Sequence, residues 1–242
     1  MAVRPSHRKL FALIAALPIL AFATMAVGGY FDRDAVRYLD PTTPRTTDLV
    51  AVYLSGDMGL DVGAGEGAVA ALRGRGIPVL AVNSSALFGI GRDRAYVDAL
   101  VADAAAQAVA RSGASRVALI GNSFGADVLG TGIGTLPADL RARIASVVLV
   151  VPGTTVFFHA NPSGLFYQGR PDSDPRRTAR LLRGLPVTCI YGSREDESLC
   201  RAPELARARR VAIDDGHLML RHYDALASAI ADAALAPPGP ML

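Results

Sequence analysis

The chain has 242 residues, 51% of them apolar, which suits one domain with a substantial core and excludes disorder or two comfortable domains. The net charge of +3 does not mark a nucleic-acid binder. Three of the 25 basic residues, Arg4, Arg8 and Lys9, lie in residues 1–23, which hold no acid, and the rest of the chain balances 22 acids with as many bases. Aromatics are few and Trp is absent, which removes the usual base- and sugar-stacking surface.

The N-terminus reads MAVRPSHRK and then LFALIAALPILAFATMAVGGY. A basic start followed by an apolar run predicts an export signal, with Ala21-Phe22-Ala23 as the small-residue cleavage site. The expectation is a signal peptide over 1–23, or an uncleaved anchor reaching to about residue 30, since the run is long enough to hold the chain in a membrane. Pro18 within the run favours the signal. Either way the body is expected outside the cytoplasm, in a periplasm if the source has one.

The body is expected over 31–235, with 31–47 as a polar lead-in and 236–242 as a disordered tail. DLVAVYLS (48–55) reads as a buried strand and GEGAVAALRGRG (65–76) as a helix. IPVLAVN (77–83) is a strand, and RDRAYVDALVADAAAQAVARSG (92–113) is a long helix stopped by Gly113. SRVALIGN (115–122) is a strand that runs into a helix at SFGADVLGTGI. ASVVLVVPG (145–153), LPVTCIYG (185–192) and RRVAID (209–214) are further strands, before a last helix near 220–235. Unbroken Val/Ile/Leu runs mark strands covered on both faces. Their alternation with helices predicts an α/β fold: a single domain with a mostly parallel sheet flanked by helices, and little or no lid.

Gly121-Asn122-Ser123-Phe124-Gly125 is a G-x-S-x-G sequence placed between a strand and a helix. That context defines the nucleophile elbow of α/β hydrolases, where a Ser on a sharp turn faces the substrate. The bland alternative is a Ser that merely caps a helix. A Ser hydroxyl needs a base. Three histidines lie in the body, His159, His217 and His222. In this fold the order is Ser, acid, His, which selects His217, after the strand RRVAID and before the last helix. The acid is expected in Ser193-Arg194-Glu195-Asp196-Glu197, with Asp196 preferred and Glu195 the alternative. The loop Ser55-Gly56-Asp57-Met58-Gly59 offers backbone N–H groups of Asp57 or Met58 as oxyanion donors beside that of Phe124. No metal and no organic cofactor are required.

Cys189 and Cys200 are the only cysteines. In an oxidising compartment this close pair predicts a disulfide that braces the acid-bearing loop, against the alternative of two buried thiols. In the segment 153–175, Val156, Phe157, Phe158, Leu165, Phe166 and Tyr167 would contact lipid if exposed and form core if buried. Arg clusters at 176–183 and 207–210 would meet anionic headgroups or simply face solvent.

Several phrases together resemble the VirJ/AcvB bacterial virulence-protein family, of α/β-hydrolase type. They are YLSGDMG (53–59), ALIGNSFGADVL (118–129), the CIYG–ED–S–C stretch (189–200) and Gly216-His217 before the last helix. The family often carries Tyr where this chain has Asn122, and a GGHH run where it has Asp215-Gly216-His217-Leu218. The resemblance implies a periplasmic protein and hydrolysis of aminoacylated phosphatidylglycerol, releasing the amino acid, typically lysine. It also implies secretion-system proteins as partners for some members. A generic exported carboxylesterase or thioesterase, and a non-enzymatic secretion accessory, are the alternatives. No nucleic-acid partner is expected.

Overall fold

The structure, a computed structural model, describes residues 18–161 and 167–237. The basic start and most of the expected signal, together with Leu165, Phe166 and the end of the expected tail, lie outside the described residues.

Among the described residues seven strands form one sheet. They are β1 (Val36–Leu39), β2 (Leu49–Leu54), β3 (Val79–Val82), β4 (Arg116–Asn122), β5 (Ile144–Val150), β6 (Val187–Gly192) and β7 (Arg209–Ile213). Their order is β1-β3-β2-β4-β5-β6-β7. Every pair is parallel except β1 with β3. The stretch 31–47, expected as a polar lead-in, instead carries β1. VRYL is short and half-exposed, because an edge strand needs only one covered face.

The helices are α1 (residues 18–27), α2 (Ala64–Gly74), α3 (Ser84–Phe88), α4 (Arg94–Ser112), α5 (Phe124–Gly132), α6 (Ala138–Ala142), α7 (Pro175–Ala179) and α8 (Tyr223–Leu235). Strand side chains alternate between two cores. Val50, Val52 and Leu54 of β2 join Val97, Val101 and Ala108 of α4 and Val128 and Leu129 of α5. Ala51 and Tyr53 of β2 join Val69 and Leu72 of α2 and Leu226 and Ile230 of α8. Each fully buried Val, Leu or Ile contributes about 1.5–3 kcal/mol, so both strand faces must be apolar. That is why the strands read as unbroken hydrophobic runs.

The packed unit begins earlier than residue 31. Met25 packs against the first core, and Tyr30 is buried in it. Beyond Met25, α1 exposes Ile19, Leu20 and Phe22. Among the described residues no helix is long and apolar enough to cross a membrane.

The chain runs from β2 outward to β3, then returns across β2 to β4. The order therefore reverses between β2 and β4, and the loops at their carboxyl ends diverge to leave a crevice. Ser55–Gly59 follows β2 and Ser123 follows β4, so both candidate loops open into it.

Candidate active site

The turn at Ser123 is made possible by two glycines. A Cβ on Gly121 would lie 2.4 Å from the Gly125 carbonyl oxygen, and one on Gly125 would lie 2.3 Å from that of Leu54. With no side chains there, α5 starts directly against the sheet. Ser123 takes φ of 50° and ψ of −118°, a conformation that non-glycine residues avoid. Such strain persists where surrounding packing enforces it, and here it lifts Oγ out of the strand into the crevice.

Ser123 Oγ lies 3.0 Å from His217 Nε2. His217 Nδ1 lies 2.6 Å from Glu195 Oε1. A carboxylate accepts only, so Nδ1 carries the proton and Nε2 is left to accept from the Ser hydroxyl. Glu195 Oε2 is buried and meets no donor among the described residues.

The preference for Asp196 is corrected by this geometry. Asp196 is exposed, whereas Glu195 is 7% exposed and turned inward. The backbone sets the choice. Glu195 N–H bonds the Gly192 carbonyl at 3.0 Å and Arg194 N–H bonds that of Asp215 at 3.0 Å. The chain therefore turns sharply as it leaves β6 and aims residue 195 under the imidazole. Cys189 and Cys200 are bonded, with Cα atoms 5.5 Å apart, and close the loop that carries Glu195.

The loop of His217 has its own brace, for which the sequence carries no local signature. Asp215 Oδ1 accepts from Gly216 N–H at 2.8 Å, and Oδ2 accepts from Arg221 N–H at 2.9 Å. His222 Nδ1 adds a contact to Oδ2 at 3.1 Å. The Arg221 and Gly216 amides, then His222, hold the Asp215 carboxyl down at about 2. The sign follows: this stabilisation is present above the ordinary pKa of 3.8 and is lost as pH falls toward 2. His222 sits at the start of α8 rather than inside it. His159 packs edge-on against Phe157 and tilted against Tyr167, and takes no part in the Ser–His–Glu chain.

Asp57 and Met58 form the tip of a tight turn closed by Gly59 N–H to Gly56 O at 3.2 Å. A Cβ on Gly56 would stand 3.4 Å from Ser123 Cβ, so this loop lies against the nucleophile. Phe124 is the first residue of α5, where amides have no intrahelical acceptor. Asp57 is expected here for its backbone N–H. Its side chain is a further feature. It is 6% exposed, and Oδ1 accepts from Tyr167 O–H at 2.5 Å and Asn161 N–H at 2.8 Å. Burial raises the Asp57 carboxyl and, more strongly, that of Asp127 one turn into α5.

Two hollows meet at Ser123 and His217. One, of about 340 Å³, is lined by Met58, Val62, Leu218, Leu220, Tyr223 and Leu226, among others. The other, of about 120 Å³, is walled by Asp57, Asp127, Thr155, Phe157 and Tyr167. Val156, Phe157 and Phe158 are buried, so they act as core rather than as a lipid-facing patch. Arg183 and Arg207 line a surface hollow beside Glu204. They precede β6 and β7, at the end of the sheet opposite Ser123.

A seven-stranded, mostly parallel sheet with a Ser on a strained turn after a central strand and a His after the last strand defines an α/β-hydrolase fold. The chain belongs to the bacterial virulence protein (VirJ) family, whose model matches residues 48–236. Among solved structures it is similar to Est1E from Butyrivibrio proteoclasticus, at 11% identity and TM-score 0.57, covering 81% of this chain and 91% of that one. It is also similar to an enol-lactonase from Burkholderia xenovorans LB400, at 18% identity and TM-score 0.55, covering 81% and 95%. An esterase domain of a Rhodothermus marinus protein aligns at 17% identity and TM-score 0.55, over 81% and 88%. At these identities the likeness is one of fold. No curated protein matches.

Proposed function

We propose that this chain is an exported serine hydrolase of carboxylic esters and that its substrate is an aminoacylated phosphatidylglycerol. The carrying observation is the continuous chain from Ser123 Oγ to His217 Nε2 at 3.0 Å, and from Nδ1 to Glu195 Oε1 at 2.6 Å. In this mechanism His217 takes the Ser123 proton as Oγ attacks the ester carbonyl. Glu195 fixes the imidazole tautomer and stabilises the imidazolium that forms. The N–H of Phe124 and those of Asp57 or Met58 receive the oxyanion. His217 then gives the proton to the departing alcohol, and water repeats the sequence on the acyl-enzyme.

The names of the structural neighbours, an esterase domain and an enol-lactonase, support ester chemistry. The lipid reading draws support from family membership and from the larger hollow. Its rim exposes Leu218, Leu220 and Met58 beside the nucleophile, an apolar mouth suited to a glycerolipid. Expression of the full chain with the expected signal 1–23 intact, followed by cell fractionation, tests the location: recovery in the periplasmic fraction supports export, and recovery in the cytoplasm rejects it. The activity is tested with vesicles containing lysyl-phosphatidylglycerol. Release of free lysine by wild type, but not by Ser123→Ala, supports the reading. Turnover of simple esters with no release from the lipid rejects the lipid and leaves a general carboxylesterase. Full complementation of a deletion strain by Ser123→Ala would favour the non-enzymatic accessory role.

A further inference from the structure

The two hollows at Ser123 differ in chemistry. The larger is apolar at its rim, as a lipid alcohol requires. The smaller holds two carboxylates, Asp57 and Asp127. Among the described residues neither is in an ion pair. Asp127 Oδ1 accepts from Gly153 N–H at 2.9 Å, and its Oδ2 meets no donor among the described residues. Asp57 is shut away at 6% exposure.

These carboxylates are not an isolated acidic cluster: they wall a cavity that Ser123 and His217 also line. Asp57 is buried and Asp127 half-buried, and their few hydrogen bonds, from Tyr167, Asn161 and Gly153, only partly offset the desolvation of two like charges that face one cavity without an ion-pair partner. Burial pushes both carboxyls upward, and the Asp57 charge adds to the rise at Asp127. A cationic ligand group supplies the missing charge. The stacked rings of Phe157 and Tyr167, 5.0 Å between centroids, form an apolar wall that strengthens such a pairing by excluding water. At about 120 Å³ the cavity suits a short polar acyl group and is too small for a long fatty chain.

We propose that this cavity is the acyl-side subsite, and that Asp57 and Asp127 hold the α-ammonium of an aminoacyl ester while Ser123 attacks its carbonyl. The proposal rests on Ser123 being the nucleophile and assigns each half of the substrate a side. The Oγ–acyl bond forms and the acyl–alkoxy bond breaks, and the Oγ proton passes through His217 to the alcohol. Water then cleaves the acyl-enzyme, releasing the free amino acid and restoring the Ser123 hydroxyl. Asp57 and Asp127 take no part in bond making or breaking and set specificity.

The test compares two benzyl esters of matching shape, L-alanine benzyl ester and benzyl 2-methylpropanoate, with the full chain. They differ by an ammonium in place of a methyl. Wild type is expected to favour the alanine ester in kcat/KM by about a hundredfold, the scale on which a site built for a polar group rejects an apolar isostere. Asp127→Asn and Asp57→Asn are expected to reduce that ratio by at least tenfold. Equal or reversed preference in wild type overturns the proposal, as does an unchanged ratio in both variants. Labelling of wild type by a fluorophosphonate distinguishes the levels. Labelled enzyme that prefers the neutral ester, or turns over neither, removes the ammonium subsite and leaves the nucleophile. Failure to label Ser123 removes both.

Discussion

Glu195 Oε1 meets His217 Nδ1 at 2.6 Å, while the adjacent Asp196 points to solvent. One peptide unit therefore separates a carboxylate that orients the base from one that does not. Glu195→Gln is expected to lower kcat by about 10³–10⁴, because the amide also satisfies the wrong imidazole tautomer. Asp196→Asn is expected to stay within about twofold, as surface substitutions do. Ester hydrolysis by the two variants side by side checks this. Comparable losses would place the acid elsewhere.

The elbow glycines give a stability prediction. Gly125→Ala forces a Cβ to 2.3 Å from the Leu54 carbonyl oxygen, which is backbone and cannot swing aside. A loss of about 3 kcal/mol or more is expected, at the upper end of overpacking effects. Gly130, inside α5, has open space around its would-be Cβ. Gly130→Ala is therefore expected to gain about 0.5–1 kcal/mol. Urea denaturation of the two variants gives opposite signs if the packing account is right.

Asp127 stands in the first turn of α5, where a negative charge gains up to about 1 kcal/mol from the helix end. Burial opposes it and wins, since the carboxyl is raised well above 3.8. A raised folded-state pKa means that the native state holds its proton more tightly than the unfolded chain. The penalty is full above that raised value and gone below 3.8. Asp127→Asn is expected to stabilise the protein by on the order of 1 kcal/mol at pH 7. The gap to wild type should close as pH falls. Thermal unfolding at pH 7 and pH 4 reads both, and a destabilised variant at pH 7 would contradict the account.

The Cys189–Cys200 bond, across a sequence separation of 11, restricts the unfolded chain by about 3 kcal/mol in the loop-entropy description. It also anchors the Glu195 loop. Replacing both cysteines by Ala is expected to lower stability by about that amount and to slow hydrolysis even where the variant is folded. Denaturant titration together with kcat below the transition separates the two effects. Full activity in the folded variant would confine the bond to stability.

The parallel sheet and the Ser–His pair were legible because each has a local signature. β2, β4 and β5 are continuous apolar runs, and Ser123 sits between a strand and a helix with glycines two residues away on both sides. The choice of Glu195 over Asp196 was not legible, since it depends on a turn whose amides bond Gly192 and Asp215. β1 was hidden because an edge strand of four residues has no unbroken apolar run. The carboxylates of Asp57 and Asp127 are 70 residues apart in a chain read for backbone donors and a helix face, and only the fold brings them to one cavity. The bracing role of Asp215 has no sequence signature, since it depends on three contacts to residues 216, 221 and 222 that exist only in the folded loop.

The central claim is that Ser123 is an activated nucleophile, and labelling with a fluorophosphonate probe tests it most directly. Wild type, Ser123→Ala and His217→Ala would be compared under conditions where all three are folded. Labelling of wild type, its loss in Ser123→Ala and its strong reduction in His217→Ala are the expected results. A folded wild-type protein that does not label, or a Ser123→Ala protein that labels equally, would contradict the account.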